Sequence, residues 1–146
     1  MARAIQLIEV NVGPIQAASA IYETEAWGKE DQQSFLNIAL EVEYYGSPEQ
    51  LLQTTQQMEA QLGRVKTEHW GPRIIDIDIL IYDDIVMDTP HLTIPHDLMA
   101  ERNFVLFPMA EIAPTLMHPV YKKTIQELLD NCSDQSYVTI VNPELV

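Results

Sequence analysis

The stretch that decides the fold is Trp70-Gly71-Pro72-Arg73-Ile74-Ile75-Asp76-Ile77-Asp78-Ile79-Leu80. Successive side chains of a β-strand point to opposite faces, so the alternation of Ile with Asp predicts a strand with an apolar face and an acidic face. Asp76 and Asp78 on the acidic face repel each other unless one is protonated or a cation lies between them, and such hard oxygen ligands suit Mg²⁺. Arg73 precedes the pair by three residues, where its guanidinium could hold a phosphate carried by the metal. The stretch therefore indicates a metal-phosphate site.

A simpler interpretation is that the two acids are solvated side chains on the outer face of an amphipathic strand. Asp-x-Asp arises often by chance, and taken alone it favours this simpler interpretation. The longer string changes the balance, because an aromatic residue, a rigid turn, a candidate phosphate ligand and the paired acids all fall within the nine residues 70–78.

The composition predicts one globular domain over residues 1–146. The chain is 47% hydrophobic, enough for a sizeable core. No apolar run approaches the ~20 residues that cross a bilayer, and the N-terminus lacks the pattern of a signal peptide. The single Cys132 cannot form an internal disulfide, which agrees with a reducing compartment. We therefore expect a cytoplasmic protein without a membrane partner.

The charge distribution argues against large anions as partners but allows a small one. A net charge of -14 argues against nucleic acid or an anionic membrane as a partner, because the average field repels polyanions. Three of the eight basic residues, Arg64, Lys66 and Arg73, nevertheless fall within ten residues just before the Asp pair. This local basic patch is a candidate site for a small anion such as a nucleotide phosphate, although Lys66 is also explained as a solvated loop charge.

Hydrophobic periodicity predicts a mixture of helices and strands. Helical spacing over 2–12 ends at Gly13-Pro14, and alternation over 34–45 indicates a strand that forms a hairpin with 15–22. The other expectations are a helix over 47–63, the Asp-bearing strand to about 82, a short strand over 85–87, loop-like backbone over 88–96, helices over 100–110 and 123–131, and a final strand over 137–141. This order predicts an α+β fold with an antiparallel or mixed sheet.

The helix over 47–63 has the clearest local signals. Ser47 is a candidate N-cap, Pro48 suits the first helical position, and Gln50 can complete a capping box. Gly63 is expected to close the helix. Its predicted buried stripe consists of Leu51, Thr55, Met58 and Leu62. Gln56 and Glu59 share its polar face, and the simplest interpretation of both is that they are solvated surface residues.

Nearly the whole chain carries a family resemblance. The stretches that carry it are Tyr22-Glu23-Thr24, Trp27-Gly28, Asp31-Gln32, Phe35-Leu36-Asn37, Gly63-Arg64, Trp70 to Leu80, Leu92 to His96, and Arg102-Asn103-Phe104 to Pro114. On these residues the sequence closely resembles the 6-hydroxymethyl-7,8-dihydropterin pyrophosphokinases, enzymes of folate biosynthesis. The resemblance implies a ferredoxin-like α/β/α sandwich with a mainly antiparallel sheet, acting as a monomer or homodimer. It also implies transfer of pyrophosphate from ATP to the hydroxymethyl oxygen of the pterin, with release of AMP.

The resemblance further implies roles for individual residues. The catalytic set would be Arg64, Arg73, Asp76 and Asp78, with the two acids holding two Mg²⁺ ions between the ATP phosphates. The nucleotide site would use Gln56, Glu59, Lys66, Trp70, Ile79, Leu92, Thr93, His96 and Arg102, with Trp70 on a loop that closes over ATP. The pterin site would use Thr24, Trp27, Phe35, Asn37 and Phe104, the two phenylalanines by stacking and Asn37 and Thr24 by reading the edge of the ring.

Three departures from the family pattern keep other interpretations open. Lys66 and His69 stand where many members carry Arg, and His91 stands where a basic residue is common. Family members also begin with an apolar strand and a Gly-rich turn, so we expect the sheet to lack the family's first strand. A relative that binds ATP or pterin without turnover is therefore an alternative. A different Mg²⁺-dependent phosphotransferase is a more distant one.

Overall fold

The computed structural model describes residues 2–24, 35–65 and 75–141, and within them helices mix with antiparallel strand pairs. The helices are α1 (Ala2–Asn11), α2 (Pro48–Val65), a short 3-10 helix (Met99–Glu101), α3 (Asn103–Ile112) and α4 (Ile125–Asp130). The strands are β1 (Ile15–Ala18), β2 (Tyr22–Thr24), β3 (Phe35–Asn37), β4 (Leu40–Val42), β5 (Met87–Asp88), β6 (Thr93–Ile94) and β7 (Val138–Ile140). The α+β class is confirmed.

The predicted hairpin over 15–45 is confirmed, although both of its strands are interrupted. β1 pairs with β4 and β2 pairs with β3, all antiparallel. Between the two pairs, the Ser19 amide donates to the Ala39 carbonyl at 2.9 Å, and the Ser19 hydroxyl accepts from the Ala39 amide at 2.9 Å. A side-chain oxygen thus takes the place of one backbone acceptor, so the chain bends without leaving a buried amide unpaired.

The last strand, β7, completes the sheet that contains β2 and β3. β7 pairs with β2, so the strand order is β3-β2-β7, and the final predicted strand is confirmed. The expectation of loop-like backbone over 88–96 was wrong at Asp88, Thr93 and Ile94, because β6 pairs there with β5. Thr93 and Ile94 lie between two prolines, but each has a backbone N–H that can take part in strand pairing. The Thr89 hydroxyl accepts from the His91 and Leu92 amides and closes the turn.

Helix α2 begins as predicted and ends later. Ser47 and Gln50 form a reciprocal capping box, with the Ser47 amide donating to Gln50 Oε1 at 2.9 Å and the Gln50 amide donating to Ser47 Oγ at 3.1 Å. The expectation that Gly63 closes the helix was wrong, since the helix runs to Val65. A glycine lowers helix propensity by only about 1 kcal/mol, which neighbouring turns can offset.

The main core lies between α3, α4 and the bend of the hairpin. Its buried members are Ala39, Met99, Leu106, Met109, Ile125 and Leu128. Leu80 and Ile81 pack against this cluster, so the acidic stretch enters the core at its C-terminal end. Within the described ranges, no helix is both long and apolar enough to cross a membrane.

The acidic stretch forms no strand over its described part, 75–82, so the strand prediction was wrong there. Its alternation is confirmed for the first five residues: Asp76 and Asp78 are exposed, while the isoleucines at 75, 77 and 79 are half-buried. A strand needs a ladder of backbone bonds to a neighbour. Among the described residues the stretch is held instead by the Glu59 side chain at Ile77, by a backbone bond at Leu80, and at Tyr82 by a turn bond to Ile85 and by the Tyr82 hydroxyl, which donates to the Gly46 carbonyl.

Candidate active site

The Asp pair lies on the solvent side of its stretch. Both carboxylates are exposed, and neither has a hydrogen bond or ion pair with another residue of the described ranges. Their oxygens are therefore available to an external cation, and hard oxygen donors suit Mg²⁺. The part of the chain that the structure describes contains no cluster of three or more His, Cys, Asp or Glu side chains that could hold a metal ion. Within the described ranges, the two acids themselves are the candidate ligands for such an ion.

Glu59 connects helix α2 to the residue between the two acids. Its Oε2 accepts a hydrogen bond from the Ile77 amide at 2.6 Å, and the Glu59 side chain is half-buried. The interpretation of Glu59 as an ordinary solvated side chain was therefore wrong. Gln56, three residues earlier on the same helix, is exposed. Sequence reasoning did not identify the Glu59 contact, because spacing along a helix does not indicate which distant amide a carboxylate meets.

The hairpin of β5 and β6 places His96 next to the C-terminal end of the acidic stretch. The His96 amide donates to the Leu80 carbonyl at 2.9 Å, which places it next to Ile79 along the chain. His96 Nδ1 accepts from the Leu98 amide at 3.3 Å and lies 3.7 Å from the Asp97 carboxylate. The structure thus brings together the acidic stretch and the candidate nucleotide residue His96.

Two further candidate nucleotide residues lie on the same hairpin. The Thr93 hydroxyl donates to Asp88 Oδ1 at 3.0 Å, so it is already engaged across the β5-β6 pair. Leu92 is half-buried, and its backbone closes the turn with Thr89. These contacts stiffen the hairpin that carries His96.

Three candidate pterin residues share one face of the β2-β3 pair. Thr24 lies directly opposite Phe35, and Asn37 lies opposite Tyr22 two residues along the same strands. The Phe35 ring is 66% exposed, whereas Thr24 is only 7% exposed. Thr24 Oγ1 and Asn37 Nδ2 are buried and have no hydrogen-bond partner among the described residues. An open aromatic face beside two unsatisfied polar atoms is the arrangement that a flat heterocycle with polar edges requires.

Phe104 and Arg102 connect the candidate pterin residues with the candidate nucleotide residues. Phe104 is half-buried in the first turn of α3, a helix that contacts both β2 and β3. The Arg102 guanidinium carbon lies 5.8 Å from the centre of the Phe104 ring, within the range of a cation-π contact. A candidate nucleotide residue therefore rests on a candidate pterin residue.

An acid-hydroxyl contact that sequence reasoning missed joins α3 to β2. Glu111 Oε1 accepts from the Tyr22 hydroxyl at 2.7 Å, and the Ala20 amide donates to both Glu111 oxygens at 3.1 and 3.2 Å. Burial, together with the hydrogen bond to the negative Glu111, raises the pKa of Tyr22 to about 12. The only sequence signal that could have pointed to this contact is that Tyr22 and Glu111 both lie in stretches that carry the family resemblance.

Most of the phosphate-binding expectations, together with the pterin-site residue Trp27, fall outside the described residues. Trp27, Lys66, Trp70 and Arg73 belong to the ranges that the structure does not describe. The backbone of Arg64 lies in the last turn of α2, but its side chain is outside the description. Their roles stay predictions.

The fold and the site define an α+β protein with an acid pair available to a metal ion. The model of the 7,8-dihydro-6-hydroxymethylpterin-pyrophosphokinase family matches residues 1–114. A protein of Aquifex aeolicus named 2-amino-4-hydroxy-6-hydroxymethyldihydropteridine pyrophosphokinase is 42% identical over 113 residues, covering 77% of this chain and 71% of that protein. The protein of that name from Bacillus subtilis is 47% identical over 98 residues, 67% of this chain and 59% of its own length.

A similar match extends to a longer protein whose name refers to folic acid synthesis. The folic acid synthesis protein fol1 of Schizosaccharomyces pombe is 44% identical over 117 residues, which are 80% of this chain but 16% of that protein. The chain belongs to the 7,8-dihydro-6-hydroxymethylpterin-pyrophosphokinase family.

Proposed function

We propose that this chain transfers pyrophosphate from ATP to the hydroxymethyl oxygen of 6-hydroxymethyl-7,8-dihydropterin, a step of folate biosynthesis. The observation that carries the proposal is the family match over 1–114, which includes every candidate site residue. In the reaction the pterin oxygen forms a bond to the β-phosphorus of ATP. The bond from that phosphorus to the oxygen shared with the α-phosphate breaks, AMP leaves with this oxygen, and the hydroxyl proton is released.

The acid pair is the proposed metal site. Asp76 and Asp78 would hold two Mg²⁺ ions, and the exposure of both carboxylates, which have no partner among the described residues, supports this role. Bound Mg²⁺ supplies charge neutralisation on the phosphates. Glu59 would keep the backbone between the two acids in place through the Ile77 amide. We propose that positioning and electrostatics account for most of the acceleration and that no general base is essential.

The nucleotide site is proposed to extend from the acid pair to the β5-β6 hairpin and the start of α3. The bond between the His96 amide and the Leu80 carbonyl supports the proximity of the hairpin to the acids. Its residues would be Gln56, Glu59, Lys66, Trp70, Ile79, Leu92, Thr93, His96 and Arg102, with Arg64 and Arg73 on the phosphates.

The pterin is proposed to stack against the face shared by β2 and β3. Phe35 and Phe104 would contact the flat ring, while Thr24 and Asn37 would pair with its polar edge, with Trp27 at the same site. The buried, unpartnered Oγ1 of Thr24 and Nδ2 of Asn37 support this assignment among the described residues. Such groups cost free energy until a ligand satisfies them, which favours the ligand that fits.

We also propose the wider setting of this activity. Residues 1–146 would form one domain of the ferredoxin-like α/β/α type that works in the cytoplasm as a monomer or homodimer. The net charge of -14 supports small-molecule substrates rather than nucleic acid.

Release of AMP from ATP, measured with Mg²⁺ and with or without the pterin, tests the activity. We expect pterin-dependent AMP from the wild-type chain and a loss of about 10²-fold or more in Asp78→Ala, because a group that holds transition-state charge is removed. Asp84→Ala is the matched control, since Asp84 is another exposed acid of the same segment. Absence of pterin-dependent AMP from well-folded wild-type protein would refute the proposal.

A further inference from the structure

Helix α3 is anchored at its N-terminal end by Asn103. The Asn103 amide donates to Asp134 Oδ2 at 3.0 Å, and its side-chain Nδ2 donates to the backbone carbonyls of Asp134 and Ser136 at 3.2 and 2.8 Å. The anchored segment leads directly into β7, where Val138 lies opposite Thr24 of β2. The first turn of α3 is therefore tied to the end of β2 that carries Thr24.

A second anchor holds the other end of the helix. Glu111 accepts from the Tyr22 hydroxyl and from the Ala20 amide, at the opposite end of β2. Eight helical residues from Asn103 to Glu111 rise about 12 Å. Four extended residues from Ala20 to Thr24 span about 13 Å. The two lengths agree, so α3 lies antiparallel along β2 with both of its ends pinned by side chains.

The anchored face of the helix also carries the candidate stacking residue. Phe104 precedes Glu111 by seven residues, which is close to two helical turns, so both lie on the same side of α3. On the sheet, Tyr22 and Thr24 are two residues apart and share a face. The residue bonded to Tyr22 therefore lies on the same side of α3 as the Phe104 ring, and Tyr22 lies on the same face of β2 as Thr24.

We propose that Tyr22 and Glu111 are positioning residues for the pterin. Their contact sets the separation between the Phe104 ring on α3 and the edge-reading groups Thr24 and Asn37 on the sheet. Neither side chain needs to touch the substrate. The inference rests on the proposed function, because it assumes that the pterin binds between these two surfaces.

The bond is strong enough for this role. A hydroxyl that donates to a carboxylate forms a charge-assisted hydrogen bond, which is about twice as strong as a neutral one. Tyr22 is 8% exposed, so water competes little for its hydroxyl. Without the bond, the C-terminal end of α3 loses its side-chain link to Tyr22, while the Asn103 anchor stays. The Ala20 amide still donates to Glu111, but the helix can roll about its own axis, and a roll displaces the Phe104 ring, which lies on the same side of α3 as Glu111, relative to the sheet.

Tyr22→Phe tests the inference, because it removes the hydroxyl and keeps the ring. We expect the KM for the pterin to rise roughly tenfold, as for the loss of one such hydrogen bond, with the KM for ATP within about twofold of wild type. Glu111→Gln keeps the shape and one acceptor oxygen, so a smaller rise of about threefold is expected. In the double variant the pterin KM should be no higher than in Tyr22→Phe, since both changes break one contact.

Tyr45→Phe is the matched control. The Tyr45 hydroxyl also donates to a carboxylate, that of Glu43, but Tyr45 is 86% exposed and lies outside the helices and strands. Both KM values should be unchanged in this variant. If Tyr22→Phe lowers Tm but leaves the pterin KM unchanged, or raises both KM values equally, the two residues are only structural and the inference is wrong. If Tyr22→Phe does not fold, Glu111→Gln decides by the same criteria.

The wild-type chain separates failure of the inference from failure of the proposed function. Calorimetric titration with 6-hydroxymethyl-7,8-dihydropterin in the presence of ATP analogue and Mg²⁺ measures pterin affinity without turnover. Wild-type protein that binds no pterin removes the function and the inference together. If the wild-type protein binds pterin and the Tyr22→Phe and Glu111→Gln variants bind it with the same affinity, only the inference is refuted.

Discussion

Glu59 Oε2 accepts the amide of Ile77 at 2.6 Å, and this bond holds the residue that separates Asp76 from Asp78. A third carboxylate therefore lies next to the acid pair, although the three do not form a metal cluster within the described residues. Its negative charge adds to the repulsion that a cation would relieve. The backbone amide offsets part of this cost by donating to the charged oxygen.

Removal of the Glu59 side chain should affect both stability and catalysis. Glu59→Ala leaves the Ile77 amide without its acceptor, and we expect the free energy of unfolding to fall by about 1–3 kcal/mol. Glu59→Gln retains an acceptor oxygen and should lose less than half as much. Urea unfolding followed by circular dichroism measures the difference. Equal losses in the two variants would mean that the bond to Ile77 contributes little.

Thr24→Val should separate binding from stability. Thr24 Oγ1 is buried without a partner among the described residues, so its removal should leave the free energy of unfolding unchanged or raise it by about 1 kcal/mol. The same change should raise the KM for the pterin about tenfold, because an edge-reading group is lost. Thr139→Val, on the other face of the same sheet, is the control. A destabilised Thr24→Val protein with normal pterin KM contradicts the assignment.

Leu106 is the most direct test of the core. Its side chain is 0% exposed at the centre of the cluster between α3 and α4. Leu106→Ala should lower the free energy of unfolding by about 2–5 kcal/mol, since it leaves a cavity. Leu116→Ala removes the same atoms from a side chain that is 38% exposed and should cost clearly less. Similar midpoints in urea for the two variants would contradict this description of the core.

His118 should make stability depend on pH. Its Nδ1 accepts from the Val120 and Tyr121 amides at 3.2 and 3.1 Å, and burial lowers the pKa of the imidazole below its usual value. Below pH ~6.5 the unfolded chain binds a proton that the folded chain resists, so the free energy of unfolding falls as pH falls. Above pH ~6.5 both forms are neutral and this contribution is constant.

The matched variant for this effect is His118→Asn. Asparagine can still accept an amide two residues on, but it does not titrate. Urea unfolding at pH 7.5, 6.5 and 5.5 should give a steeper decline for wild type than for His118→Asn. Because the other histidines are shared by both proteins, parallel curves would exclude His118 as the source of the pH dependence.

The elements that depend on local signals were predictable from the sequence. Pro48 and the Ser47-Gln50 pair define the start of α2 without any tertiary contact, and the structure confirms it. Alternation over 34–45 identified the hairpin, because one of its faces is apolar. The break near Ala39 was not predictable, since it depends on the Ser19 hydroxyl from the opposite strand.

The features that depend on distant partners were not predictable. Alternation of Ile and Asp correctly indicated which side chains are exposed, but not whether a neighbouring strand would pair with 75–82. β6 was missed because its strand character comes from β5 and not from its own two residues. The Glu111 contact with Tyr22 spans 89 residues and leaves no periodic trace in the sequence. The candidate site could be named from the family resemblance, whereas its internal supports required the structure.

The amide of Ala20 donates to the Glu111 carboxylate and to no strand. Its exchange with solvent deuterium therefore depends on whether the end of α3 is seated on the sheet, and not on the opening of a strand ladder. One backbone proton thus reports the contact between the C-terminal end of α3 and the sheet. It can be followed by NMR in the wild-type protein, without any substitution and without substrate.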